Sequence, residues 1–376
     1  MQKTLLIVIL FLFAFILSAC TYKGIEKKGV ISDERKSSWK YEKGYNLPVD
    51  EEEKEEAQTD LKIIMENINT LKTAEYPLYY ENNMGMCNYE KMEKFLQQSS
   101  DSQKGSIVFF EISSGSVSRN KLIFDGEDMY LLYTNGTWNE DNIPVVADTY
   151  YNRIERWKYT KKGWFCYEIC TPEPPEVTEV VDGSCMFRVT PIKEEYGEIM
   201  EKYLLPLGYQ GNNLLCANWD EENLEDLDYT GLFEYLYFMK YNKKFDSEKY
   251  QDGIPKELFE NLMTEYLPVT AKQLRKYAAF HQTKQMYPWC KLNCMNYTPN
   301  AFGGAMPEVT EIKENKDGSI SIKIDAVCER LQSDCVMSHI LTVKIYDDGS
   351  IQYLSNQILD DGLKNIPTYQ YRLGDN

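Results

Sequence analysis

Apolar residues recur at spacings of three and four through Leu61, Ile64, Met65, Ile68 and Leu71, which predicts a helix over residues 57–73. A shorter helix is predicted over 89–97. From Gly105 the rhythm changes to that of strands. Segments 106–112, 121–124, 129–133, 150–159, 164–169 and 185–190 are rich in β-branched and aromatic residues. Asp125-Gly126, Asn135-Gly136, Lys162-Gly163 and Asp182-Gly183 read as turns between them. After Pro191 the helical spacing returns, over 194–204, 230–241, 255–266 and 271–280. Asp228 or Thr230 suits the cap of the second of these helices, Pro255 the first turn of the third and Thr270 the cap of the fourth. Strands follow at 309–313, 319–327, 338–346 and 350–355. There Ile320, Ile322 and Ile324 alternate with Ser321 and Lys323, and Leu341, Val343 and Ile345 repeat the alternation. Asp317-Gly318 and Asp348-Gly349 read as hairpin turns. The fold class is therefore α+β: an N-terminal helix and antiparallel sheet, then a helical segment and a C-terminal antiparallel β-meander. The folded parts are expected at 57–190 and 191–376.

The first residues have a different pattern. Lys3 precedes an unbroken apolar run of 13 residues from Leu5 to Leu17. That is short of the roughly 20 residues a membrane-spanning helix needs but suits the core of a signal peptide. The run ends in Leu17-Ser18-Ala19-Cys20, which resembles the lipobox of bacterial lipoproteins. The resemblance implies a signal peptide over 1–19, cleavage between Ala19 and Cys20, and lipidation of Cys20. Two or more acyl chains hold a protein stably, at about 0.8 kcal/mol per buried methylene. The first partner expected is thus the membrane, reached through the lipidated N-terminus, with the protein on the outer face of the cytoplasmic membrane, in the cell envelope.

Residues 20–56 carry little apolar periodicity and read as a flexible tether. Seven cations stand against four anions from Thr21 to Tyr45, and seven anions against one cation from Asp50 to Asp60. The basic part lies beside the anchor, where it favours an anionic lipid surface.

Composition narrows the chemistry. The formal charge of −18, from 59 acidic and 41 basic residues, opposes nucleic-acid binding. The only two histidines are His281 and His339. No HExxH, P-loop or GxSxG motif occurs, so no catalytic residue, metal ligand set or cofactor is assigned. Nine cysteines remain after Cys20, an odd number. The most local pair for a disulfide is Cys328 and Cys335, near the ends of a predicted hairpin, whereas Cys166 and Cys170 lie about 13 Å apart on a strand. Cys290, Cys294, Cys328 and Cys335 lack the paired spacing of a zinc site. Twenty-nine tyrosines and six tryptophans are available for packing or recognition. Tyr287 and Trp289, between the last helix and the meander, are the candidate exposed ligand contacts.

The stretches TKKGWFCYEI (160–169), FRVTPIKEEYGEIMEKYLLPLGYQGNNLL (187–215), DYTGLFEYLY (228–237), IPKELFENLMTEYLPVTAKQLRKYAAF (254–280), PEVTEIKENKDGSISIKIDAV (307–327) and HILTVKIYDDGSIQYLSNQI (339–358) are similar to an uncharacterised lipoprotein family of low-GC Gram-positive bacteria. The resemblance implies a surface lipoprotein and brings no activity or site residue with it. The expectation is a non-catalytic binding or interaction module with an envelope, peptide or glycan partner. The alternative is an extracellular hydrolase using two carboxylates, which requires a cleft holding an Asp/Glu pair with one pKa raised.

Overall fold

The computed structural model describes residues 44–66, 76–80, 84–292 and 301–373. The lipobox with Cys20, most of the tether, the end of the first predicted helix (Ile68 and Leu71) and Cys294 lie outside the described residues. Among the described residues no helix is long and apolar enough to cross a membrane.

The first helix, α1 (Glu51–Glu66), begins six residues before the predicted start. Its first turn is Glu51, Glu52 and Glu53, which complement the positive end of the helix dipole; apolar periodicity does not register such a turn. Residues 44–47 also belong to the body, not to a tether. Gly44 O accepts from Arg153 N at 2.6 Å, and Leu47 N donates to Tyr151 O at 2.8 Å.

Eight strands form one sheet. They are β1 (Leu78–Tyr80), β2 (Met86–Cys87), β3 (Gly105–Ser113), β4 (Ser116–Phe124), β5 (Met129–Trp138), β6 (Pro144–Tyr159), β7 (Trp164–Ile169) and β8 (Ser184–Arg188), in the order β2-β1-β3-β4-β5-β6-β7-β8. All pairs are antiparallel except β1 with β3. The two ends of the sheet approach each other. Met86 N donates to Val189 O at 3.1 Å and Ile192 N to Met84 O at 2.9 Å, so the sheet curls into a nearly closed barrel.

Helix α2 (Tyr89–Ser100) buries Met92, Phe95 and Leu96 against Phe109, Leu122, Phe124, Phe165 and Phe187, the inner face of the barrel. Helix α1 lies on the outer face, where Leu61 and Met65 pack with Leu78, Phe110 and Val117. Neighbours in sequence therefore point to opposite cores, Phe109 inward and Phe110 outward, as the pleat requires. Gly136 corrects the sequence reading. It lies within β5 at a bulge following Asn135, not in a turn. A Cβ there would lie 2.4 Å from Met65 Sδ and 3.2 Å from a Leu61 methyl, so this glycine admits α1 to the sheet.

The second half holds α3 (Glu194–Ile199), which runs on as five residues of π-helix to Leu204, then α4 (Tyr229–Tyr241), α5 (Lys256–Tyr266) and α6 (Ala271–Tyr277). Asp228 caps α4 by accepting from Gly231 N, and Thr270 with Gln273 forms a capping box on α6. Two short strands, β9 (Ile254–Pro255) and β10 (Met286–Tyr287), pair with each other. The meander is β11 (Met306–Glu314), β12 (Ile320–Cys328), β13 (Ser333–Ile345) and β14 (Ile351–Ile358), paired in sequence order and antiparallel. Ile322, Ile324, Leu341 and Val343 face the helices in one core.

The two halves meet across Trp164, Cys166 and Met186 on one side and Met306 and Val327 on the other. Beside this contact lies a buried ion cluster. Glu308, 2% exposed, is 3.1 Å from Lys162 Nζ and 3.4 Å from Arg188 Nη1, and accepts from Trp164 Nε1 at 2.7 Å. Lys162 also reaches Asp325 at 2.9 Å.

Candidate functional site

Along β3, β4 and β5 the inward-facing positions change character. Ile107, Leu122, Phe124, Met129 and Leu131, together with α2, fill one end of the barrel with apolar side chains. Two residues further along β4 and β5 the same face carries Asn120 and Tyr133, beside Phe109 of β3, and the next layer is Glu111, Ser118 and Asn135. The register places them side by side: Glu111 opposite Ser118, Asn120 opposite Tyr133 and Ser118 opposite Asn135. Tyr167 and Cys185, opposite each other on β7 and β8, complete the ring.

This polar end of the barrel, termed the cup, grades from buried to exposed side chains. Asn120 is 1% exposed and Tyr167 2%, whereas Tyr150 on the rim is 42% exposed. Ser118 Oγ donates to Tyr133 Oη at 3.1 Å and also lies 3.3 Å from Asn135 Oδ1. Tyr133 and Tyr150 stack, with centroids 6.5 Å apart. The Asn120 side-chain nitrogen is buried without a hydrogen-bond partner among the described residues. Leaving a buried donor unmatched costs about 1–3 kcal/mol, so this floor is paired only when something brings an acceptor to it.

Burial holds the thiol and the phenols of the cup in their protonated forms. Burial, then the charges of Glu329 and Glu111, push the Cys185 thiol up to about 12, against a hydrogen bond with Tyr167 that lowers it. Burial holds Tyr167 well above the ordinary phenol value, with Cys185 and Glu111 adding to the shift. Tyr133 rises for the same first reason, with Glu111 contributing. At neutral pH these groups are a thiol and neutral hydroxyls, able to donate or accept hydrogen bonds.

The sites singled out in the sequence lie elsewhere. Tyr287 is fully buried, stacks on Phe259 at 4.1 Å and donates its hydroxyl to Glu260 at 2.9 Å. Trp289 is half-buried against Phe245 at 4.9 Å. The exposed aromatic patch expected there is not formed, because pairing β10 with β9 turns Tyr287 into the helical core. Cys328 and Cys335 are not joined by a disulfide. The β12–β13 register sets Ser333, not Cys335, opposite Cys328. Cys328 is buried, and Cys335 is exposed with its thiol 3.3 Å from Ser338 Oγ.

His339 is wholly buried, with Nδ1 2.6 Å from Asn356 Oδ1 and Nε2 2.9 Å from Tyr209 Oη. An amide oxygen only accepts, so Nδ1 carries the proton and Nε2 accepts from Tyr209. Among the carboxylates, Glu329 is shifted upward, by burial of its carboxyl against β8, with Asp182 adding to it. Its Oε1 accepts from Met186 N at 3.1 Å, and Asp182 lies 3.6 Å from Arg330. Glu308 and Asp325 are both turned onto Lys162. Among the described residues no three His, Cys, Asp or Glu side chains gather as a metal would need.

A family model matches residues 27–372. The chain belongs to DUF6070, a family of unknown function. The DUF6070 match extends through both cores, beyond the 160–358 span over which the sequence stretches suggested a resemblance, so barrel and meander belong to one family unit. No curated protein and no solved structure matches the chain.

The cup was missed in the sequence because its members are scattered over six strands and are ordinary residue types. The signal that does exist is the change from Leu122 and Phe124 to Asn120 and Ser118 on one face of β4. It becomes legible once strand register is known.

Proposed function

We propose that this protein is an envelope lipoprotein, anchored through Cys20, whose barrel binds a glycan without catalysis. One observation carries the binding reading: a polar, tyrosine-rimmed cup in an otherwise apolar barrel, with the Asn120 amide donor unmatched on its floor. Sugars suit such a cup. Tyrosine faces cover the apolar face of a pyranose, while Ser118, Asn135 and Glu111 offer acceptors and Asn120 a donor for hydroxyls or an N-acetyl carbonyl. The hydrolase reading finds less support. The raised carboxyl of Glu329 is occupied by a backbone amide, and Glu308 and Asp325 are paired with Lys162 and Arg188.

The test is calorimetric titration of the protein with N-acetylglucosamine oligosaccharides. Saturable binding is expected, and Asn120→Leu, which keeps the volume and removes the donor, should weaken it by about tenfold, the equivalent of roughly 1.4 kcal/mol. Equal affinity of the variant, or no binding of the oligosaccharides, contradicts the reading. The anchor is tested separately. Intact mass of membrane-extracted protein should show a chain beginning at a diacylglyceryl Cys20, and Cys20→Ala should fail to be processed there. An unmodified chain beginning at Met1 contradicts it.

A further inference from the structure

A cavity of about 350 Å³ opens in the second half of the molecule, between the start of α4, the end of α6 and the C-terminal segment. Glu225 and Asp226 stand exposed at its rim. Tyr229, Tyr277 and Tyr371 contribute to its walls. The hydroxyls of Tyr229 and Tyr371 are spent on Leu224 O at 2.8 Å and Asp226 O at 2.9 Å; Tyr229 is buried in the wall, and the half-buried Tyr371 has ring surface left to offer. Asp228, also in the lining, is wholly occupied. One oxygen accepts from Gly231 N, the other from Tyr369 Oη and Arg372 N, and the cap thereby straps the C-terminal segment onto α4.

Thr230 is the unexplained member. The residue is 4% exposed and lines the cavity. Its hydroxyl makes no hydrogen bond to any described residue, yet it is not among the fully enclosed polar atoms. The small contact with solvent it keeps is therefore with the cavity. A hydroxyl with no protein partner is left to water or to a ligand that enters the cavity.

We infer that this cavity takes a primary alkylammonium group. The ammonium sits between Glu225 and Asp226 with one N–H donated to the Thr230 hydroxyl, and its alkyl stem lies against the tyrosine rings. Three donors on one cationic centre match two carboxylates and a hydroxyl, and aromatic faces attract a cation by about 0.5–1 kcal/mol at exposed sites. The charges that oppose this are Lys276, 5.2 Å from the Tyr277 ring centroid, and the dipole of α4. The first is a single cation facing two carboxylates, and the Asp228 cap offsets the second. The ligand is either a free amine or a lysine side chain of a peptide, which share this chemistry.

The test uses the full chain in detergent, titrated with n-butylammonium, 1,4-diaminobutane and Nα-acetyl-lysine amide, with n-butanol as the neutral isostere, followed by amide shifts of residues 225–231. At least one amine should bind saturably, more weakly as salt rises, and n-butanol should not. Preference for the diamine identifies a free amine, and preference for the lysine derivative a peptide. Glu225→Gln with Asp226→Asn should reduce affinity about tenfold or more, and Thr230→Val, a near-isostere, should reduce it severalfold with an unchanged melting curve. Equal binding of n-butanol, indifference to the double substitution in a folded variant, or no saturable shift with any amine overturns the inference.

Discussion

At the scale of single residues, the buried polar side chains divide into those the fold completes and those it leaves open. His339 is completed. Burial drives its pKa down to about 4, against the hydrogen bond it donates to Asn356, which raises it, and the Tyr209–His339–Asn356 chain ties the 209–219 segment to β14 through the Trp219–Asn356 bridge. The folded histidine refuses a proton that the unfolded chain accepts below pH 6.5. Its contribution is therefore fully present above pH 6.5, falls as pH drops towards 4 and levels off below that. Integrated over this window the loss is about 3 kcal/mol. Urea unfolding across the window should show His339→Gln losing this part of the pH slope; an unchanged slope would mean the imidazole is not held neutral. Asn120 is the opposite case, a buried donor the fold does not satisfy, and for that reason it marks the candidate site.

At the scale of elements, the strands and helices were legible because one face of each is buried, so period two and period three-to-four stand out in the sequence. The meander shows this in Ile320, Ile322 and Ile324, which fall within β12 as predicted. What periodicity cannot see is an element that enters through charge or through a missing side chain. The first turn of α1 is three glutamates, and its seat on the sheet is made by Gly136, whose neighbour Asn135 gave the pair the look of a turn. Ion pairs add to the seat: Asp60 with the nearly buried Arg119 at 3.0 Å and Glu53 with Lys121 at 2.5 Å. The apolar contact dominates, since a partly exposed pair contributes at most about 1 kcal/mol. Leu61→Ala should cost about 2–5 kcal/mol in urea unfolding, and Lys121→Met less than about 1 kcal/mol. Similar costs for the two would place the seat of α1 in its charges.

At the scale of the whole molecule, two cores are joined by a small apolar contact and the cluster around Glu308. The residues near 191 mark the change from barrel to helices, as the sequence pattern indicated, but the join itself was hidden. Lys162 was legible only as part of a turn, and nothing in the spacing pairs it with Glu308 almost 150 residues away. Glu308→Ala leaves the buried Arg188 without its carboxylate and the half-buried Lys162 with Asp325 alone, which should cost at most about 3–5 kcal/mol. Hydrogen exchange should then show barrel and meander amides opening separately, and in the wild type opening together; joint opening in the variant would mean the cluster does not couple the cores.

The claim on which the functional account rests is that the polar end of the barrel is a ligand site. Side-chain and backbone NMR of the labelled protein during the oligosaccharide titration tests it most directly. The Asn120 amide protons and the Tyr133, Tyr150 and Tyr167 rings should shift together on one saturation curve while β12 and β13 remain still. Shifts confined to the outer surface, or saturation that leaves the Asn120 protons where they were, would contradict it.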